Sequence, residues 1–266
     1  MPAIAIVGAT GRMGRSLVHA AAERREVRIC GALASPASSH LGEDIGVLAG
    51  GAALGVPITA DVAIALRGAQ VAIDFALAAD VEARAASISA AGCAWVLGTT
   101  GLSPRQLKAV DAAAVRVPVL ASPNMSLGVQ LLLRLVDEAA RSLPQDYDIE
   151  IYEAHHRNKV DAPSGTARRL GEVAAAARGL EFAEVGEPNR VSRPGPRRAG
   201  SIGVSVARGG DIVGEHRVSF AGLGEQLILE HRASDRMTFA RGAVAAALWL
   251  AGRPPARYEM SDVILR

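Results

Sequence analysis

Apolar and polar positions alternate in blocks along the first half of the chain. Ala3 to Val7 (AIAIV) is a continuous apolar run ending in Gly8, the pattern of a strand buried on both faces. Gly11 to Arg24 then sets Met13, Leu17, Val18 and Ala21 on one helical face. Val27 to Leu33 and Val71 to Phe75 (VAIDF) read as further strands, the second followed by an Ala-rich helix from about Ala79 to Ala91. Ala94 to Leu97 (AWVL) ends in GTTGL, Ser103-Pro104 opens a helix, and Val117 to Ala121 (VPVLA) ends in SPNMS. Strands alternating with helices predict a parallel, doubly wound α/β sheet.

The pattern changes after Asn124. Leu127 to Ser142 is a long apolar helix, Asp148 to Ala154 a strand and Gly165 to Arg178 a helix. Ser201 to Arg208, His216 to Phe220 and Gln226 to His231 then read as three strands of a meander, joined through GGDIVGE and AGLGE. This is α+β, so a second domain begins near residue 127. Phe239 to Leu250 is a final helix, and the tail Tyr258 to Leu265 is expected to rejoin the first domain. Glu187 to Gly200 (EPNRVSRPGPRRAG) reads as a solvated loop, with closure over an anionic ligand as the alternative.

Composition narrows the function classes. The 266 residues are 50% hydrophobic and only 3% aromatic, so the core must be built from Ala, Val, Leu and Ile. A formal charge of +2 gives no domain-scale basic field, and a nucleic-acid partner is not expected. No apolar run reaches the ~20 residues of a membrane span. With no charged-then-apolar leader at Met1, Cys30 and Cys93 read as buried thiols of a cytoplasmic protein. Of the 29 basic residues only Lys108 and Lys159 are lysine.

Gly8, Gly11 and Gly14 fall between the first strand and its helix, a GxxGxxG spacing. Glycines there permit a tight turn and close approach to a pyrophosphate, which the helix N-terminus then faces. GTTG (Gly98 to Gly101) and SPNMS (Ser122 to Ser126) follow other strands of the same sheet. Ligands of open α/β sheets sit at the carboxyl ends of strands, so three such turns suggest one long ligand, a dinucleotide. The second strand ends in Ala34-Ser35 where an acid or arginine often meets the adenosine ribose, and Arg12 is the nearest cation. NAD versus NADP stays open.

EAHHRNKVDAPSGTA, Glu153 to Ala167, carries the other chemistry. Adjacent His155 and His156 would point to opposite faces of a strand, and neither an HExxH helix nor a repeated Cys/His spacing is present; no metal is expected. Histidine titrates near neutrality, and a lysine can give up a proton where arginine cannot. Lys159, in a chain that writes almost every cation as Arg, therefore hints at proton handling. Pro163-Ser164 marks a helix start whose Gly165 and Thr166 N–H groups could bind a carboxylate.

With GATGRMG, VAIDFA, GTTG, SPNMS, EAHHRNKVDAPSGTA, GDIVGEH and SDRMTFARGAVAAALWL in view, the chain resembles the dihydrodipicolinate reductases almost end to end. These are the 4-hydroxy-tetrahydrodipicolinate reductases of the diaminopimelate route to lysine. The resemblance implies a Rossmann-like cofactor domain of residues 1–126 and 237–266. It also implies a substrate-binding and tetramerising domain of residues 127–236 with an open mixed sheet. NADH or NADPH would deliver hydride to C4 of a small dicarboxylate, and the neighbouring carbon would be protonated. By motif, His155 and Lys159 are the acid/base pair with Lys159 the favoured donor, and His156, Gly165 and Thr166 bind the substrate carboxylates. Gly8, Ala9, Thr10, Gly11, Arg12 and Met13 would line the cofactor, with Gly98, Thr99, Thr100, Ser122, Pro123, Asn124 and Met125. Asn158 stands where the family often has histidine, which marks that position as a spacer. Ala34-Ser35 departs from the family's usual acid, so use of both NADH and NADPH is expected. The competing readings are a dinucleotide-binding redox sensor, a metal-dependent hydrolase using His155 and His156, and a reductase of the same fold acting on another imine or as a desulfurase.

Overall fold

A computed structural model of the chain describes residues 1–188, 190 and 194–264. Two compact units result: Met1–Leu127 with the chain from Met237 onward, and Gly128–Arg236. The first opens with β1 (Ala3–Val7), α1 (Arg12–Ala22), β2 (Arg28–Leu33), a turn of helix α2 (Ile45–Leu48), β3 (Ile58–Thr59) and α3 (Val62–Ala65). It continues with β4 (Val71–Asp74), α4 (Val81–Ala90), β5 (Ala94–Leu97), α5 (Pro104–Ala114) and β6 (Pro118–Ala121). Local chemistry sets several of these boundaries. Ser103 caps α5 in a reciprocal capping box with Gln106, and Pro104 occupies the first turn, where its missing N–H costs nothing.

The second unit contains α6 (Leu127–Ser142, counted from its first residue), β7 (Asp148–His155), α7 (Gly165–Ala177), α8 (Phe182–Val185), β8 (Gly186–Pro188), β9 (Ile202–Arg208), β10 (Gly214–Gly222) and β11 (Glu225–Ala233). Helix α6 buries Val129, Leu132, Val136, Ala139 and Ala140, spaced for one face. That stripe and the matching one on α7 close a core with Ile149, Ile151, Val204, Val218 and Phe220 from the sheet. The strand order is β11-β10-β7-β9-β8. Here the expected meander is corrected. β10 and β11 form an antiparallel hairpin, but β9 pairs in parallel with β7, and β7 lies between β9 and β10. Glycine-rich connections permit a hairpin without requiring one, and here the β9–β10 connection spans the central strand. Part of the Glu187 to Gly200 loop, residues 189 and 191–193, lies outside the described residues.

The chain then returns to the first unit with α9 (Met237–Leu250), β12 (Ala256–Tyr258) and α10 (Met260–Ile264). β12 pairs in parallel with β6, completing a seven-stranded sheet of order β12-β6-β5-β4-β1-β2-β3. The tail thus rejoins this unit slightly earlier than the sequence suggests; Leu265 lies outside the described residues. Ile4 and Ile6 face a core shared with α1 and α9, while Ala5 and Val7 face one shared with α4 and α5. Both faces are covered, which explains why β1 has no polar position. Cys93 is buried and Cys30 half-buried, both as free thiols, and burial pushes Cys93 up to about 12.

Candidate active site

In the first unit the sheet order reverses beside β1, which is flanked by β4 on one side and β2 on the other. Such a switch point opens a crevice at the carboxyl ends of the strands. Gly8 holds φ +82°, and a Cβ on it would come 3.0 Å from the Ala76 backbone nitrogen. A Cβ on Gly14 would drive into the Gly8 and Ala9 carbonyl oxygens, so the first turn of α1 packs directly on the glycine loop. Gly11 is the N-cap of α1 and supplies no side-chain cap, and the first turn holds no acidic residue, leaving the N-terminus receptive to an anion.

The neighbouring turns gather at this edge of the sheet. Thr99 Oγ1 donates to the Ala76 carbonyl at 2.9 Å, and Gly98 N–H donates to Asp74 O. The Ser122 hydroxyl donates to Asn124 O at 2.8 Å. Gly8, Thr10, Gly11, Arg12, Gly98, Thr99, Thr100, Pro123 and Asn124 retain exposure, whereas Ala9 and Met125 are buried side chains of the core. Gly242 of α9 approaches the Met125 carbonyl so closely that a Cβ would collide. Met13 also packs against the core. At the end of β2, Ala34 is buried and the Ser35 hydroxyl accepts from Ala37 N–H.

The sequence reading missed what holds the β4 turn. Asp74 is 0% exposed; its Oδ2 accepts from Arg84 Nε at 2.8 Å and from Trp95 Nε1 at 3.2 Å, and its Oδ1 accepts from Ala76 N–H at 3.0 Å. Arg84 also donates to the Leu77 carbonyl. Burial pushes the Asp74 carboxyl upward, and Arg84 opposes that most strongly.

In the second unit the inward stripe of β7 runs Ile149, Ile151, Glu153, His155, so two ionisable groups continue an apolar face. Glu153 is 0% exposed. Its carboxylate accepts from Arg208 NH1 and NH2, each at 2.8 Å, from Ser164 N–H at 2.9 Å, and meets His155 Nδ1 at 2.6 Å. Strand register delivers these partners: Arg208 of β9 stands beside His155, and His216 of β10 opposite Glu153. Burial raises the Glu153 carboxyl, but the bonds from Arg208, His155 and Ser164 outweigh it and hold the group below its usual range. His155 is pushed down, chiefly by burial and further by Lys159 and Arg208, against the upward pull of Glu153.

Beyond the strand, His156 is half-buried and its carbonyl accepts from Lys159 N–H. Lys159 Nζ pairs with Asp161 at 2.8 Å, and Asn158 is exposed. Gly209 N–H bonds to His155 O and Arg157 N–H to Gly210 O, anchoring this loop to the β9–β10 connection. Ser164 caps α7 by accepting from Ala167 N–H, and its hydroxyl also meets His216 Nε2 at 3.1 Å. Burial, then His155, pushes His216 down to about 4. Gly214 is buried against His155; a Cβ there would lie 3.1 Å from Nε2.

His155, His156, Lys159, Gly165 and Thr166 thus belong to one loop-and-helix segment of the second unit. Glu153, Ser164, Arg208, Gly214 and His216 support it and were not among the sequence candidates. GDIVGEH contained two of them, and the alternation His216, Val218, Phe220 marks His216 as inward-facing. Among the described residues no group of three His, Cys, Asp or Glu side chains is placed to hold a metal, and no helix is long and apolar enough to cross a membrane.

Family models agree with this architecture over nearly the whole chain. The model described as dihydrodipicolinate reductase, N-terminus, matches residues 2–125, and its C-terminus counterpart residues 128–264. A protein of Dinoroseobacter shibae named 4-hydroxy-tetrahydrodipicolinate reductase is 48% identical over 264 residues, covering 99% of this chain and 98% of its own. One of Alkalilimnicola ehrlichii with the same name is 49% identical over 261 residues, 98% of each. Among solved structures, a dipicolinate-bound dihydrodipicolinate reductase from Paenisporosarcina sp. TG-14 superposes with a TM-score of 0.78 at 22% identity, covering 100% of both chains.

Proposed function

The chain belongs to the dihydrodipicolinate reductase family, and from that premise we propose that it reduces 4-hydroxy-tetrahydrodipicolinate to tetrahydrodipicolinate with NADH or NADPH. It is an oxidoreductase of lysine and diaminopimelate biosynthesis. The observation that carries the site assignment is the Glu153 carboxylate, which binds His155 and the first turn of α7 at once. A proton-handling ring and a carboxylate-binding helix N-terminus are thereby tied into one piece.

The Gly8 loop and the uncapped start of α1 fit a dinucleotide pyrophosphate, because bulk on Gly8 or Gly14 would meet backbone. Gly8 to Met13, Gly98 to Thr100 and Ser122 to Met125 hold the dinucleotide, Ala9, Met13 and Met125 from within the core. The 4-hydroxyl leaves as water with a hydrogen of the adjacent ring carbon, which conjugates the new double bond with the ring imine. The dihydronicotinamide, when bound, would supply hydride to C4 of that ring. Lys159 donates the proton that the adjacent carbon takes up, and Asp161 holds its ammonium in place until then. His156, Gly165 and Thr166 bind the substrate carboxylates. A dicarboxylate suits this segment, where an exposed Gly165 opens the helix. Chains associate as a homotetramer through the five-stranded sheet, whose outer face mixes exposed Tyr152 and Ile228 with Arg217 and Glu230.

The test is turnover. Purified chain supplied with substrate by a dihydrodipicolinate synthase should consume NADH and NADPH, followed at 340 nm. Binding of either dinucleotide without consumption would remove the reductase assignment in favour of a sensor.

A further inference from the structure

The Glu153 site answers a question the sequence cannot pose: which nitrogen of His155 carries the proton. A carboxylate at 0% exposure is costly unless paired and hydrogen-bonded. Glu153 is so satisfied, by the Arg208 fork, the Ser164 N–H and the imidazole. Arg208 already supplies the opposing charge, so the ring is not needed as a cation. Every other charge near His155, from Arg208 and Lys159, disfavours protonation, and the neighbouring His216 is itself buried and neutral. Asp161 is engaged by Lys159.

A neutral ring whose Nδ1 lies 2.6 Å from an ionised carboxylate has one acceptable tautomer. A lone pair on Nδ1 would face the negative oxygen; a proton there makes a charge-assisted bond. We propose that Glu153 is the positioning residue of this site, holding His155 in the Nδ1–H tautomer so that Nε2 presents a proton-accepting lone pair. Arg208 keeps Glu153 ionised. His155 therefore accepts protons and Lys159 donates them. The inference deepens the reductase reading and rests on it for the proton's destination, while the tautomer itself is independent of turnover. Gly214 leaves room beside this nitrogen, since a Cβ there would lie 3.1 Å from Nε2 and press on the ring.

The experiment has two arms. In the first, 15N-detected NMR of the wild-type full chain at pH 7 is expected to show His155 neutral with the proton on Nδ1. An Nε2–H or cationic ring overturns the proposal, whether or not the protein turns over. In the second, Glu153→Gln is expected to lower kcat/KM by about 10²–10⁴-fold. NADH binding should change less than about threefold, on the scale where tenfold is 1.4 kcal/mol. Its acid limb should move to lower pH, because the group that raised the His155 pKa is gone while Arg208 and Lys159 remain. A merely structural role lowers the plateau without moving that limb. A folded variant whose kcat/KM and acid limb match wild type overturns the proposal; if the variant does not fold, the wild-type tautomer decides. Absence of turnover in wild type alongside an Nδ1–H ring refutes the reductase reading and leaves the tautomer standing.

Discussion

Arg84→Leu should destabilise the first unit in a strongly pH-dependent way. The change removes the charged partner of a carboxylate at 0% exposure, leaving Asp74 with only the Trp95 indole and the Ala76 N–H. Breaking a buried pair from one side costs about 3–5 kcal/mol. Proton uptake by Asp74 sets a ceiling on the charge part of that cost. At pH 7, protonating a group whose unfolded pKa is ≈ 3.9 costs about 4 kcal/mol, and at pH 5 about 1.5 kcal/mol. The sign follows from linkage: burial already raises Asp74 in the wild type against the opposing Arg84, and removing Arg84 raises it further, so the variant loses more stability than the wild type as pH rises and regains it as pH falls. For a unit of this size about 2–4 °C accompany each kcal/mol, so the melting temperature should drop by roughly 10 °C at pH 7 and by clearly less at pH 5. Thermal melts followed by circular dichroism at both pH values measure it. The Asp74→Leu/Arg84→Leu double variant should recover part of the loss, since no buried charge remains. Equal drops at the two pH values, or a double variant worse than the single, would refute the account of Asp74 as a charge held in place by Arg84.

Three other outcomes follow from the same geometry. Lys159→Met should lower kcat by about 10²–10⁴-fold while leaving the NADH dissociation constant nearly unchanged, measured by steady-state kinetics beside fluorescence titration. Gly14→Ala should abolish NADH binding or folding of the first unit, read by titration and melting, because the added methyl meets the Gly8 and Ala9 carbonyls. Arg12→Ala should weaken NADPH by about 1–2 kcal/mol more than NADH, the scale of a charge-assisted contact, and equal losses would remove Arg12 from the 2′-phosphate.

Legibility was uneven for physical reasons. β1, α1 and the capped starts of α5 and α7 are written in residues close together in the chain, where apolar period, N-cap chemistry and proline act locally. The strand end and helix start of the EAHHRNKVDAPSGTA segment were legible for the same cause, being contiguous in the chain. The meander expectation failed because pairing partners are chosen between segments far apart, and glycine turns do not specify them. The burial of Met125 was equally invisible, because the core that its side chain fills is assembled with α9, far along the chain.

The amino-acid order alone determined the alternation of strands and helices, the glycine turn and the contiguous strand, loop and helix start that carry His155, His156, Lys159, Gly165 and Thr166, because each rests on neighbours within a few positions. Tertiary structure alone decided what those residues are able to do. Arg208 reaches Glu153 across 55 positions of sequence and His216 reaches Ser164 across 52. Only when β9 lies beside β7 does the buried Glu153 carboxylate acquire its counter-charge, Arg208. The protonation state of His155 is then set by the low-polarity surroundings and partners that this pairing creates, and no stretch of contiguous sequence contains them.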